Sequence, residues 1–356
     1  MNISMPPHVL SDGTSILVIL MGSLGDVVRG LSVVDQLKSN FPSSKVTWLV
    51  EPKCQGIVAL HSGIDRVILF ERGKGFQSLF RLYRELRKEA FDITLDMQRH
   101  FKSGFFSFLS RSPRRIGFNK KNSKEGNFIF NNEHLPFRDD SVPKIHHYLD
   151  FISALGGEIR QPLSFGIKGS PLREKNAAKF NTIATPVLFF VMGSSWRSKD
   201  WPLEGYEGLL RLILTRTSYS VILLGDRSQK DAEIELLKRT AYIVPDISKR
   251  VCGFVGETTL GELVTLIGAS QAGAGPDSGP GHISGALGKP YVALFGPTSP
   301  SRVAPYGSEH LAIKSSVGCS PCMRRDCPGL NTVCMRLLRP EVVFERLFSI
   351  LKEGYS

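Results

Sequence analysis

The sequence contains no apolar run approaching the roughly 18 residues that a membrane-spanning helix needs. Its opening stretch, MNISMPPHVLSDGTS, lacks the basic and apolar regions of a secretory leader, so a cytoplasmic protein is the expectation. No Asp-x-Asp triplet occurs, which argues against chemistry in which a divalent metal bridges carboxylates and a diphosphate. No Gly-x-Gly-x-x-Gly follows the first apolar run of either half, so the usual dinucleotide fingerprint is missing. Low-complexity segments and short-period repeats are also missing. Six cysteines in 356 residues do not make a secreted disulfide scaffold.

What is present is positive charge, unevenly placed. The net charge is +12; residues 1–180 hold 26 Lys and Arg against 17 Asp and Glu, and residues 181–356 hold 19 against 16. An anionic partner for the first half is the expectation.

Short apolar runs alternate with amphipathic stretches along the chain, the pattern of parallel α/β organisation. Strands are expected at 15–23, 45–51, 66–71 and 92–98, with helices near 26–40, 52–61 and 75–90. In the third helix Phe76, Leu79, Phe80, Tyr83 and Leu86 share one side, with Arg81, Arg84, Arg87 and Lys88 on the other. The same grammar restarts at PVLFFVMGS (186–194), followed by strands at 220–226 and 290–296 and helices at 229–240 and 259–269. Two Rossmann-like domains follow from this: residues 1–170 and 186–338, joined by a polar linker at 171–185. A C-terminal helix within 339–356 is expected to pack back on the N-terminal domain.

Three Gly- and Pro-rich loops carry the chemistry of the second half. GPDSGPGHISGALGKP (275–290) reads as a strand end, then a helix start with proline in its first turn. Free N–H groups at such a terminus suit a diphosphate. GSSWRSKDWP (193–202) supplies Ser194, Ser195, Arg197 and Lys199, and FGPTSPSRVAPYG (295–307) adds a third loop at the same expected edge. In the first half MGSLGDVVRG (21–30) presents a carboxylate, Asp26, which reads either as a helix cap or as a reactive acid.

The block DSGPGHISGALGKPYVALFGPTSP, with GSSWRSKDWP before it and MGSLGDVVRGL near the start, resembles glycosyltransferase family 9, the ADP-heptose:lipopolysaccharide heptosyltransferases. DMQRHFKSG and RRIGF resemble intervening segments of that family, and the resemblance runs in order from about residue 15 to 350. It implies a GT-B fold, two Rossmann-like parallel-sheet domains facing across a cleft, with the donor on the second and the acceptor on the first. It implies an inverting transfer of heptose from ADP-heptose to a lipopolysaccharide inner-core acceptor, Kdo-lipid A or a heptosyl group. On matching positions Asp26 would be the general base and Lys199 would neutralise the leaving diphosphate. Ser194, Ser195, Asp277, Ser278, Gly279, Pro280 and His282 would attend the donor. The segment GDRSQKDAE (225–233) falls at the nucleoside, without a single residue assigned. The chain departs from the family at Arg29, which suits contact with an acidic acceptor.

Residues 99–124 contain eight Lys and Arg, no acid, and interleaved phenylalanines at 101, 105, 106 and 108. The stretch suits a phosphorylated lipid or an anionic membrane surface; nucleic acid is not expected as a partner, because no recognised module surrounds it. Lys102, Arg114 and Arg115 are the acceptor candidates. The enzyme is thus expected to sit peripherally on the inner membrane. Cys319, Cys322, Cys327 and Cys334, spaced C-x2-C-x4-C-x6-C, could hold a structural zinc or remain thiols or disulfides; no cofactor is expected for catalysis. The alternatives are another sugar nucleotide on the same fold, a nicotinamide-linked oxidoreductase, or a lipid- and nucleotide-binding paralogue without turnover.

Overall fold

The computed structural model describes residues 10, 12–243 and 249–353. The opening stretch considered above falls largely outside the described residues. The chain divides into two compact units, residues 1–167 and 168–356.

In the first unit the strands are β1 (Ser15–Ile19), β2 (Lys45–Val50), β3 (Arg66–Leu69), β4 (Ile93–Asp96), β5 (Arg114–Gly117) and β6 (Glu133–His134). They form one parallel sheet in the order β3-β2-β1-β4-β5-β6. The helices are α1 (Leu24–Asn40), α2 (Pro52–Val58), α3 (Gly75–Leu86), α4 (Phe101–Leu109) and α5 (Lys144–Ala154). The central strands are covered on both faces, which is why SILVI and KVTWLV are runs and not alternations. Gly30 lets α1 come close to the sheet: a Cβ there would sit 2.6 Å from Leu20 and 3.1 Å from Trp48.

The third helix differs from its sequence reading. Leu82 and Leu86 are buried with Leu17, Ile19, Ile68 and Phe106, and Leu79 packs partly against them. Phe76, Phe80 and Tyr83 are exposed. The apolar arc of α3 is wider than the sheet beneath it requires, so the helix settles on its leucines. A similar division occurs in α4, where Phe106 is buried and Phe101 and Phe108 are not.

The second unit repeats the plan. Its strands are β7 (Val187–Val191), β8 (Ser220–Leu224), β9 (Val251–Gly253), β10 (Ala272–Pro276), β11 (Tyr291–Phe295) and β12 (Ile313–Lys314). They form a parallel sheet in the order β12-β11-β10-β7-β8-β9, which is the first sheet's topology again. The helices are α6 (Glu174–Phe180), α7 (Leu203–Arg216), α8 (Lys230–Ile243), α9 (Leu260–Ala269), α10 (Gly279–Ala286), α11 (Pro300–Val303), α12 (Val333–Arg336) and α13 (Pro340–Glu353).

Two expectations about boundaries change. Residues 171–185 are not an open linker: they carry α6, whose buried Asn176 donates to Glu262 Oε1 at 2.9 Å and to the Glu257 carbonyl at 3.0 Å. Its polar residues look solvated in sequence because their partners lie some 80 residues on. The C-terminal helix spends its apolar side within the second unit, where Val343, Phe344 and Leu347 join the core of Leu209, Leu210 and Ile213. The Trp201 indole donates to the Leu338 carbonyl at 2.9 Å just before that helix. Among the described residues no helix is long and apolar enough to cross a membrane.

Candidate active site

Strand β1 ends at Ile19 and α1 starts at Leu24, so residues 20–23 form the loop at the carboxyl edge of the first sheet. Ser23, not Asp26, holds the N-cap position of α1. Asp26 lies in the first turn, where the helix dipole favours a carboxylate. Its Oδ1 accepts from Lys144 Nζ at 2.6 Å and from Arg29 Nη2 at 2.7 Å, and its Oδ2 accepts from Ser23 Oγ at 3.3 Å. Burial works against the ionised form, but the charges and hydrogen bonds of Lys144 and then Arg29 outweigh it and hold the carboxyl well below the usual carboxylate range. Burial in turn lowers Lys144, against the pull of Asp26. Gln98, just past β4, fastens the loop: its Oε1 accepts from the Met21 N–H at 2.7 Å and its Nε2 donates to the Gly22 carbonyl at 3.2 Å.

Lys144 and Gln98 were not singled out from the sequence. Gln98 lies within DMQRHFKSG, a segment that resembles the family. Lys144 carries no local signal, because it meets Asp26 from 118 residues away.

The acceptor candidates separate. Arg29 is on Asp26. Lys102, at the start of α4, ion-pairs Glu51 at 3.5 Å, and Lys53 and Arg72 reach the same carboxylate at 3.3 and 3.0 Å. Arg114 and Arg115 are not brought to that edge. They stand at the amino end of β5, opposite in strand direction to the Asp26 loop. Arg114 is held by Glu133 through bonds of 2.7 and 2.8 Å, and Arg115 donates to the Phe130 and Ser112 carbonyls.

In the second unit β10 runs into α10 with Ser278 at the N-cap, whose side chain makes no capping hydrogen bond. The first-turn N–H groups are left for another acceptor. Ser278, Gly279 and Pro280 are half-buried. Gly281 is required by close approach, since a Cβ there would lie 2.6 Å from the Tyr291 ring. Buried Asp277 Oδ2 accepts from Lys199 Nζ at 2.7 Å and from Thr298 Oγ1 at 2.9 Å, and His282 Nε2 lies 3.7 Å from Oδ1. Burial opposes its charge, but His282 and Lys199 keep the carboxyl well below its ordinary range. The Lys199 ammonium also stands 4.6 Å from the Trp196 ring centre.

The three loops expected at one edge therefore do meet: Lys199 from the loop after β7, Asp277 after β10, Thr298 after β11. Thr298 is the member that sequence reading passed over. Ser194 is turned inward, its N–H donating to Asp200 at 2.8 Å and its Oγ accepting from the Trp196 N–H at 3.1 Å, while Ser195 is exposed. Asp226 and Gln229 form a local capping box on the 227–229 turn. A cavity of about 360 Å³ lined by Arg173, Asn176, Glu257 and Thr259 shares no residue with the Lys199–Asp277 group.

The zinc expectation is corrected. All six cysteines are free, and among the described residues no three His, Cys, Asp or Glu side chains are grouped to hold a metal. Cys334, on α12, is buried in the core, where its sulfur is packed so closely on Gly296 that a Cβ there would lie 2.7 Å from it. Cys319 and Cys322 are exposed.

The model of glycosyltransferase family 9 (heptosyltransferase) matches residues 79–332, well over half of the chain. The chain belongs to glycosyltransferase family 9. Among curated members of the family it is 28% identical over 303 residues to the lipopolysaccharide core heptosyltransferase OpsX of Haemophilus influenzae, covering 83% of this chain and 82% of that one. It is 25% identical over 350 residues to lipopolysaccharide heptosyltransferase 2 of Salmonella typhimurium, covering 95% and 99%. Its fold matches the family 9 glycosyl transferase of Veillonella parvula with a TM-score of 0.76 at 19% identity, covering 96% and 98%. The ADP-heptose heptosyltransferase II of E. coli gives a TM-score of 0.73 at 23% identity, covering 96% and 100%. The family 9 chain is thus a glycosyltransferase of the GT-B type, built on two Rossmann-like sheets.

Proposed function

We propose that this glycosyltransferase moves heptose from ADP-heptose to a hydroxyl of a lipopolysaccharide inner-core acceptor, Kdo-lipid A or a heptosyl group, with inversion and without a catalytic metal. The observation that carries the donor reading is the Lys199–Asp277 pair beside the uncapped start of α10. A half-buried cation and free N–H groups are what a departing diphosphate requires. The names of the Haemophilus and Salmonella relatives support heptose and lipopolysaccharide. A fold neighbour, an E. coli heptosyltransferase solved with ADP and with ADP-2-deoxy-2-fluoro heptose, supports the nucleotide.

In this reading Asp26 removes the proton of the acceptor hydroxyl as that oxygen attacks the anomeric carbon. The bond from that carbon to the diphosphate oxygen breaks with its electron pair on the leaving ADP. Lys199 and the α10 N–H groups take up the charge. Ser194, Ser195, Ser278, Gly279, Pro280 and His282 line or order the donor seat. Asp26 is ionised and ready at neutral pH, yet two cations on one carboxylate make it a weak base. An acidic acceptor offers Arg29 and Lys144 another anion, which frees Asp26 at the moment it is needed. Lys102 with Lys53 and Arg72 would hold a further acidic group of the same acceptor. Such an acceptor places the enzyme peripherally at the cytoplasmic face of a membrane.

The test is calorimetric binding of ADP, ADP-heptose, UDP, GDP and NAD without added divalent metal, followed by a transfer assay on truncated lipid cores. Selective binding of ADP and ADP-heptose with transfer of heptose is expected. Binding of UDP or GDP alone would replace the donor, and tight NAD binding without any sugar nucleotide would replace the reaction class.

A further inference from the structure

Helix α3 carries apolar surface that the fold leaves uncovered. Phe76 is 91% exposed and Phe80 64%, and Tyr83 completes the same stripe at spacings of four and three. Single exposed apolar side chains are ordinary in soluble proteins; a row of large rings along one helix is not. Helix α4 packs on the same core beside it and repeats the pattern, with Phe101 51% and Phe108 55% exposed.

The surrounding charge is predominantly positive, with Glu71, Glu89 and Glu125 at its borders. Residues 72–88 and 99–124 together hold fourteen Lys and Arg and a single acid, Glu85. Several of these cations are engaged by carboxylates, but Arg84 on α3, Arg87 at its C-cap and Arg111 beyond α4 have no carboxylate partner among the described residues. Arg84 lies 6.0 Å from the Phe80 ring centre, and Arg115 lies 6.0 Å from that of Phe108.

We infer that the outer face of α3 and α4 is a membrane-docking surface whose rings enter the headgroup layer of an anionic bilayer while their arginines pair with its phosphates. The two requirements of an interfacial helix, aromatic area free to bury itself and cations beside it, are both met on this face. A bilayer also accounts for the sign: a protein partner would require a matching acidic surface, whereas anionic leaflets supply it everywhere. The choice of occupant rests on the reading of the acceptor as lipid-borne; the exposed surface does not.

The experiment is co-sedimentation of the full chain with vesicles of phosphatidylcholine alone and of phosphatidylcholine with about 30% phosphatidylglycerol, using the wild type, the Phe76→Ser/Phe80→Ser variant and the Arg84→Gln/Arg87→Gln variant. The wild type should partition at least about tenfold better onto anionic vesicles, with the difference shrinking in high salt. Each variant should lose about tenfold of that partition while its melting temperature and calorimetric ADP affinity stay unchanged. Wild-type indifference to vesicle charge, or variants that partition like the wild type, would overturn the assignment. So would competition by a single-stranded RNA oligonucleotide that the Phe variant no longer binds, which would mark the face as a nucleic-acid site. Vesicle binding is read without any sugar donor. Failure of heptose transfer therefore refutes the proposed reaction without touching this surface, and loss of vesicle binding with intact transfer to soluble cores does the reverse.

Discussion

Lys144 Nζ lies 2.6 Å from Asp26 Oδ1, on the carboxylate oxygen that Arg29 also occupies. The carboxylate proposed as the base is thus held ionised by two cations on one oxygen.

Removing the carboxylate tests the base. Asp26→Asn should lower kcat by about 10² to 10⁴, the range that general-base catalysis contributes, with ADP affinity within a few fold of wild type. The checks are steady-state transfer and calorimetry on the same preparation. Near-normal turnover would exclude Asp26 as the base.

Lys144→Met addresses the charge on that base. The wild-type carboxyl is depressed below its ordinary value, so activity that depends on its ionised form persists well into acid and falls only as the pH drops through the lowered pKa. With one cation gone the pKa rises, and the acidic limb of the kcat profile should move upward by about one pH unit. An unmoved limb would separate Lys144 from the base.

Lys199→Ala should weaken ADP binding by about ten- to a hundredfold, the worth of a hydrogen bond to a charged group, and lower turnover as well. It also leaves Asp277 buried with only His282 and Thr298 on it, so a fall in melting temperature accompanies the loss. Lys199→Arg keeps the charge and should restore stability more fully than donor binding. Wild-type ADP affinity in the alanine variant would refute the diphosphate role.

Glu262 offers a pH test of stability. Burial opposes its charge, yet the side chain of Arg173, the Thr259 and Arg173 N–H groups and Asn176 bring its pKa down to about 2. A depressed acid stabilises the fold above its unfolded value of 4.5, and that stability is lost as pH falls from there through about 2. The melting temperature of Glu262→Gln should therefore sit below wild type at pH 7, and the gap should close on acidification. A gap that is constant with pH would show that the carboxylate charge is not what counts.

Thiol counting checks the cysteine assignment. Burial pushes Cys54 and Cys252 up to about 11, and Cys334 is also raised by burial, so these should react with a disulfide reagent only after denaturation. Cys319 and Cys322 should be labelled rapidly in the native protein, with Cys327 slower. Protection of Cys319 and Cys322 that a chelator relieves would reinstate a metal there.

The alternation of apolar runs and helices was legible because it is local: the inner strands, and the loops bearing Asp26, Lys199 and Asp277, fall where the sequence puts them, whereas the short strands β5, β6, β9 and β12 carry too few apolar residues to stand out. Pairings across long separations were not. Lys144, Gln98 and Thr298 reach the site residues only through the fold, and nothing beside them in sequence marks them out. Arg114 and Arg115 stand at the end of β5 away from the Asp26 loop, and charge density does not say which end of a strand a side chain occupies. In α3 periodicity found the apolar arc but not how much of it the sheet would cover. Asn176 and Glu262 likewise made a buried network out of a segment that composition alone describes as a connector.

The two sheets share one strand order, and each sends its decisive ion out immediately beyond the strand where the winding starts, Asp26 after β1 and Lys199 after β7. The same exit thus carries an acid in one unit and an ammonium in the other. Opposite charges at equivalent exits therefore need no change of scaffold, only of the loop that leaves the strand.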